Sequence, residues 1–321
     1  MCKEIGGYFS LELSSSNQKI PALNGVLLNT GRNSIEYILR SLKRINKVYI
    51  PYYTCDTVLE PLDKLKIKYD FYHVDFNLEI DSDIILGKDE YLIYTNYFGI
   101  KDLYVKSLNE KYGEKLIVDN AQALFAEPTE KCAYSPRKYI GIPDGGIAFT
   151  PEKVDLQFEK STSYDICSHL LKRADCGGSS AYANFRANSK VLANQPIKLM
   201  SNLTESIFKS VDFKGVVSKR KSNFKYLHSC FASTNRLSIP SLDSFECPMA
   251  YPYYVEDDSL RKKLIDNKIY VATYWPNVFE WCQEKTIEYK LANYILPLPI
   301  DQRYVKEDMN TIINIIKNGF I

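Results

Sequence analysis

Short apolar runs alternate with helix-patterned segments between residues 30 and 150. Apolar positions spaced three and four apart from Ile35 to Ile45 predict a helix, and two further helices are predicted over 57–65 and 101–112. Between them lie runs that predict strands, over 47–50, 68–74, 90–95, 116–118 and 147–149. Strands that alternate with helices through short connections are typical of a parallel sheet covered on both faces. Right-handed crossovers between these strands are therefore expected.

The pattern changes after Thr150. Residues 155–230 lose the β-type runs and predict helices. From about residue 240 the elements are shorter and mixed: strands are predicted over 251–255 and 269–273, a helix over 259–266, and a last helix to about Lys317. Before the first helix, Tyr8–Leu13 predicts a short strand in an arm.

These elements predict the fold class and the domain organisation. The fold class is α/β, a three-layer sandwich with a mostly parallel central sheet, followed by a small C-terminal α+β domain. We expect an N-terminal arm over 1–25, a large domain over 26–235 and the small domain over 236–321.

The composition is that of an ordinary globular protein. Hydrophobic residues make up 45% of the chain, charged residues 25%, and the formal net charge is +2, which gives no electrostatic reason to expect nucleic acid or a membrane as partner.

The eight cysteines are irregularly spaced, and none of the three histidines lies near one at ligand spacing, so no metal site is predicted. The chain has neither the apolar core of a secretion signal nor a membrane-spanning run. Reduced thiols and a cytoplasmic location are expected.

One stretch, residues 117–150, carries candidate chemistry. An apolar run ends in Asp119, and Lys138 stands on a turn before Gly145-Gly146 and the next apolar run. An Asp at a strand end is often only a helix N-cap, and a loop Lys is commonly just solvated. Together, however, an acid after one buried strand and an amine before the next suit pyridoxal phosphate (PLP). The lysine can bind its aldehyde as a Schiff base, and the acid can pair with its ring nitrogen.

The order of these residues resembles that of a known family. Asp119-Asn120-Ala121-Gln122-Ala123 is similar to the Asp-x-Ala-Gln-Ala strand end of the DegT/DnrJ/StrS family of PLP-dependent sugar aminotransferases, and Lys138 with Gly145-Gly146 is similar to its lysine loop. The similarity runs from about Gly31 to Arg303, but only the central block is specific. The resemblance implies a fold of the aspartate-aminotransferase type with PLP as cofactor. It also implies Lys138 and Asp119 as catalytic residues and places Gln122 near the ring oxygen.

The expected cofactor site extends to other parts of the chain. A helix opening at Gly31-Arg32-Asn33 offers free N–H groups and the positive end of a dipole to a phosphate. In the resembled family this position is Gly-Thr/Ser and binds the PLP phosphate, so these three residues are expected to anchor it here. The aromatic residue that the family places against the ring is replaced by Cys55, and Tyr53 is expected to stack on the ring instead.

The family's serine five residues before the lysine is Ala133 in this chain, which removes one phosphate contact. Ser135 or Arg32 is expected to compensate for it.

The resemblance implies transfer of an amino group from glutamate to a nucleotide-linked keto-sugar, in surface polysaccharide synthesis and by a homodimer. Lys138 would carry the proton as general acid and base. Two alternatives remain at this point: a PLP-fold protein that has lost catalysis and serves as a binding or regulatory module, and a PLP-dependent sugar dehydratase. In the dehydratases the lysine is replaced by histidine, which favours amination here. A dinucleotide enzyme ranks lower, because no Gly-x-Gly-x-x-Gly follows a strand.

Overall fold

A seven-stranded sheet forms the centre of the molecule. A computed structural model describes residues 7–16 and 18–317 of the chain. Within them the sheet has the order β1-β7-β6-β5-β4-β2-β3. Its strands are β1 (Val26–Leu28), β2 (Lys47–Pro51), β3 (Tyr69–Tyr72), β4 (Glu90–Thr95), β5 (Leu116–Asn120), β6 (Cys132–Tyr134) and β7 (Gly146–Phe149).

The sheet is mostly parallel, as predicted. Strands β3, β2, β4, β5 and β6 pair in parallel, and β7 runs antiparallel to both β6 and β1. The carboxyl ends of β4, β5 and β6 therefore lie at one edge of the sheet, where open α/β folds bind ligands. The register aligns Asp119 with Thr95 on one side and with Ala133 on the other.

Helices cover both faces of the sheet. They are α1 (Gly31–Ser41), α2 (Leu59–Lys64), α3 (Asp102–Tyr112), α4 (Ser168–Val191), α5 (Asn202–Ser210), α6 (Phe213–Phe231), α7 (Leu260–Asp266), α8 (Val278–Trp281), α9 (Ile287–Tyr294) and α10 (Lys306–Lys317). Successive side chains of a strand point to opposite faces. Accordingly, Leu92 and Tyr94 of β4 belong to one apolar core, and Ile93 belongs to a second core that includes Ile35 and Ile38 of α1. The three-layer α/β sandwich predicted from the sequence is confirmed.

The C-terminal part of the chain has a small sheet of its own. Strand β8 (Tyr251–Tyr254) pairs antiparallel with β9 (Ile295–Leu298), and α10 packs against α6 and α7. The side chains of β8, β9 and α10 belong to the same apolar core as the near face of the large sheet. This arrangement holds the C-terminal segments against the larger unit.

Two predicted strands are wrong. Tyr8–Leu13 has no strand partner, and Tyr8 and Phe9 are 99% and 93% exposed; an isolated strand has nothing to satisfy its backbone groups. Residues 269–273 also form no strand, and the Ala272 carbonyl accepts a hydrogen bond from Nη1 of Arg261 instead, at 2.7 Å. Residues 1–6 and 17 of the predicted arm, and residues 318–321, lie outside the described residues.

Candidate active site

Asp119 lies near the carboxyl end of β5, the middle strand of the sheet. It is the fourth residue of β5, is only 7% exposed, and accepts a hydrogen bond at Oδ1 from the Ala121 N–H at 2.9 Å. Burial raises the pKa of the Asp119 carboxyl above its ordinary value, while the Lys138 ammonium and the Ala121 N–H act to lower it. A buried carboxylate with so few donors is suited to receiving a further positive partner.

Lys138 lies on the turn that follows the neighbouring strand. After β6 the chain makes a short 3-10 turn over Pro136–Lys138, with the Lys138 N–H donating to the Ser135 carbonyl at 3.2 Å. The Lys138 side chain is exposed and makes no hydrogen bond or ion pair within the described part of the chain. The positive charge of Lys138 nonetheless acts to lower the pKa of Asp119. The amine and the carboxylate therefore face a common space without contacting each other.

That space is a cavity of about 350 Å³ lined by both Asp119 and Lys138. Its wall also includes the start of α1, the turn after β6 and the last turns of α4. Cavities of this size hold small-molecule ligands and cofactors.

The start of α1 forms one end of the cavity. Gly31 and Arg32 line it together with Ser135. The helix is capped by Thr30, whose hydroxyl accepts from the Asn33 N–H at 3.0 Å. A helix start next to a hydroxyl and a guanidinium is an anion-binding arrangement.

Gly146 lets β7 approach this helix start. A Cβ on Gly146 would lie 2.1 Å from the Thr30 carbonyl oxygen, so no other residue fits there without displacing the backbone. The Gly-Gly pair singled out in the sequence thus has a packing reason.

Asn33 does not line the cavity, and its predicted contact with phosphate stays a prediction. Its side chain is buried, and Nδ2 donates to Oδ1 of Asn29 at 2.8 Å and to the Pro196 carbonyl at 2.9 Å. Its backbone N–H is already engaged by the Thr30 cap. Asn33 therefore fixes the loop that supports α1.

Tyr53 does not line the cavity either, and its predicted stacking on the ring stays a prediction. It is fully buried, with its ring centroid 5.4 Å from that of Tyr97 and 5.2 Å from that of Trp275. The cavity wall instead contains Cys55 and Trp275.

Gln122 lies behind the cavity wall. Its Oε1 accepts from the Phe98 N–H at 2.8 Å, and Nε2 has no partner among the described residues although it is buried. The Gln122 carbonyl also accepts from the Tyr139 hydroxyl at 2.7 Å. The expected contact between Gln122 and the ring oxygen stays a prediction, with the unpartnered Nε2 as the donor it would use.

The structure adds wall residues that the sequence reasoning missed. Arg137 precedes Lys138 in the same turn, Phe185 lies on α4, and Trp275 comes from the C-terminal part of the chain. Arg137 could have been found from its position next to the lysine. Phe185 and Trp275 could not, because their segments carry no motif.

Comparison with known proteins identifies the fold to which this cavity belongs. No protein-family model matches the chain, and no curated protein matches it. Solved structures do match. Spr1654 of Streptococcus pneumoniae, assigned as a sugar aminotransferase, is 14% identical over 91% of this chain and 85% of its own, with a TM-score of 0.66. The aminotransferase TlmJ of Streptoalloteichus hindustanus is 16% identical over 92% and 85%, with a TM-score of 0.62. A DegT DnrJ EryC1 StrS aminotransferase of Brucella abortus is 14% identical over 92% and 85%, with a TM-score of 0.59.

The chain has the fold of the sugar aminotransferases. The fold implied by the motif around Asp119 and Lys138 is thereby confirmed. Within this aminotransferase fold the two residues stand at the carboxyl ends of adjacent strands, where both reach one cavity.

The residues present fit PLP, the cofactor that this fold implies. The cavity has an amine for the aldehyde, a buried carboxylate for the ring nitrogen, and a helix start with Arg32 and Ser135 for the phosphate. No set of three or more His, Cys, Asp or Glu side chains within residues 7–16 and 18–317 could hold a metal ion. In the same residues no helix is long and apolar enough to cross a membrane.

Proposed function

We propose that this chain is a PLP-dependent aminotransferase that transfers an amino group from glutamate to a keto-sugar carried on a nucleotide. The observation that carries the proposal is that Asp119 and Lys138 line one cavity without forming an ion pair with each other. The cavity that they share suits a ligand that binds both the carboxylate and the amine.

The roles of the two residues follow from their positions. PLP, when bound, supplies an aldehyde that reacts with amines and a ring that withdraws electrons from the neighbouring carbon. Asp119 would hold a negative charge against the ring nitrogen. Lys138 would hold the cofactor through Nζ and, as general acid and base, would move the proton at the substrate Cα.

A second cavity supports an anionic substrate. It has a volume of about 520 Å³ and shares Arg137, Lys138 and Phe185 with the first. Basic side chains outnumber acidic ones in its wall; the basic ones are Arg137, Lys138, Arg173, Arg220, Lys268 and Arg303, and the acidic ones are Asp301 and Asp308. A surplus of positive charge beside the lysine suits the carboxylates of an amino-acid donor and the diphosphate of a nucleotide sugar.

The test is an absorption spectrum of the purified protein during addition of PLP and then glutamate. We expect a near-visible band on PLP addition and its loss when glutamate converts the cofactor to its amine form. Lys138→Ala should remove the band, and Lys106→Ala, which changes an exposed lysine of α3, should keep it.

The same experiment separates the two alternatives. A wild-type protein that stays colourless with excess PLP would favour the binding or regulatory module. A band that glutamate leaves unchanged, together with loss of a sugar hydroxyl in the product, would favour the dehydratase.

The setting of the reaction is also a proposal. The described cysteines are all free thiols, which supports a reducing cytoplasm. Exposed apolar side chains on α4, among them Leu171, Tyr182 and Val191, support a homodimer that covers them. We also propose a boundary between a large and a small domain near residue 235 and a role in surface polysaccharide synthesis, as the resemblance implies.

A further inference from the structure

Two guanidinium groups line the same cavity. Arg32 is the second residue of α1, and Arg137 lies on the turn after β6. Burial lowers the pKa of the Arg137 guanidinium, and the charge of Arg32 lowers it further. Two cations that line one partly buried cavity repel each other, and an anion bound between or beside them offsets that repulsion.

The two arginines differ in their partners. Nε of Arg32 forms an ion pair with Oε2 of Glu60 at 3.1 Å, and its Nη1 donates to the Leu192 carbonyl at 3.2 Å. Arg137, by contrast, makes no hydrogen bond or ion pair with any described residue. Its guanidinium lies 6.0 Å from the ring centroid of Phe185.

The acid whose charge acts on Arg137 is already engaged. Asp144 attracts the guanidinium electrostatically, but its carboxylate accepts hydrogen bonds from the hydroxyls of Ser201, at 2.9 Å, and Thr204. A half-buried guanidinium without an acid bonded to it destabilises the folded protein when no ligand is present. Arg137 is therefore arranged for an anion from outside the chain.

The position of that anion follows from which residues meet at the start of α1. A Cβ on Gly31 would lie 3.1 Å from the Cβ of Ser135, which stands two residues before Arg137 at the start of the same turn. Arg32 is the second residue of α1, and all four residues line the cavity. Arg137 therefore lies on the turn that meets the α1 end of the cavity.

We propose that Arg137 binds the phosphate group of PLP at the start of α1 and supplies the contact that Ala133 does not provide. This inference rests on the proposed function. The guanidinium donates in place of a serine hydroxyl, and its two parallel N–H groups match two phosphate oxygens. Arg32 forms an ion pair with Glu60. It therefore contributes positive electrostatic potential at this end of the cavity more than a direct hydrogen bond to the phosphate.

The test compares two ligands that differ only in the phosphate. PLP and pyridoxal are titrated into wild type, Arg137→Gln and Arg137→Lys, and the dissociation constants are measured from absorbance. We expect Arg137→Gln to weaken PLP binding by about tenfold to a hundredfold, the loss of one charge-assisted bond, with pyridoxal affinity unchanged. Arg137→Lys should recover part of the loss. Arg186→Gln, on the exposed side of α4, is the matched control and should bind both ligands as wild type does.

The outcomes separate this inference from the proposed function. Wild type that binds PLP, with Arg137→Gln binding it equally tightly, overturns the role of Arg137 alone. An equal loss of PLP and pyridoxal affinity also overturns it, because the phosphate would not be the group contacted. Wild type that binds no PLP overturns the proposed function itself. Thermal unfolding of each variant shows that the comparison is between folded proteins.

Discussion

Gly31 and Ser135 approach each other so closely that a side chain on Gly31 would require Ser135 to shift. A Cβ built on Gly31 would lie 3.1 Å from the Cβ of Ser135 and 3.2 Å from its hydroxyl oxygen. The first residue of α1 and the turn before Lys138 thus meet at one end of the cavity. A side chain larger than a methyl group on Gly31 would narrow the cavity at this end, where we propose that the phosphate binds.

Gly31→Val is expected to weaken PLP binding by about tenfold or more, because the valine displaces Ser135 and fills the phosphate end. The measurement is a PLP titration followed by absorbance. Gly141→Ala is the matched control, since a Cβ there would meet only Leu170, at 3.7 Å. Unchanged affinity in Gly31→Val would place the phosphate elsewhere.

Asp119→Asn should affect stability and cofactor chemistry in opposite directions. Without cofactor, the amide removes a buried charge and still accepts from the Ala121 N–H, so the free energy of unfolding should rise by on the order of 1 kcal/mol at neutral pH. With PLP, the amide cannot hold the ring nitrogen protonated, and turnover should fall on the order of a hundredfold or more. Urea unfolding and donor kinetics measure the two effects. Asp243→Asn, at an exposed position, should change neither.

The stability difference between wild type and Asp119→Asn should depend on pH. Burial raises the pKa of Asp119 in the folded protein, so the folded state binds this proton more tightly than the unfolded state does. The destabilisation by the charged carboxylate is therefore fully present above the folded pKa. It disappears as the pH falls below the unfolded value, near 4. Unfolding curves for the apoproteins across this range should converge at low pH; a constant gap would contradict the assignment.

Trp275 and Tyr53 should respond differently to substitution. Trp275 contributes aromatic surface to the cavity wall, so Trp275→Leu should weaken PLP binding by roughly tenfold, the scale of a lost aromatic contact. The Tyr53 hydroxyl is buried and has no partner in the described part of the chain. Tyr53→Phe should therefore keep PLP affinity and leave stability equal or slightly higher. Because phenylalanine keeps the ring, a large loss of PLP affinity in Tyr53→Phe would show that the Tyr53 hydroxyl contacts the cofactor.

The sequence predicted those parts of the site that lie close together along the chain. Asp119 could be found because it ends a strand with a recognisable pattern, and Lys138 because it precedes Gly145-Gly146 and the apolar run of β7. Trp275 could not, because it reaches the cavity through packing of the C-terminal segments, and no local pattern encodes that approach. Strand β6 was missed for another reason: its three residues are too few to show a period.

The surroundings of Asn33 could not be predicted. Its position at the helix start was predicted, but its side chain donates hydrogen bonds to Oδ1 of Asn29 and to the Pro196 carbonyl. Pro196 lies far away in the chain, and its contact is not visible in the sequence.

The central claim is that Lys138 Nζ holds PLP, and covalent trapping tests it most directly. Wild type, Lys138→Arg and Lys106→Ala are incubated with PLP, reduced with borohydride and digested, and the modified lysine is located by mass spectrometry. The account predicts one phosphopyridoxyl group on Lys138 in wild type and Lys106→Ala, and none at this site in Lys138→Arg. Modification scattered over exposed lysines, with Lys138 unmodified in wild type, would contradict it.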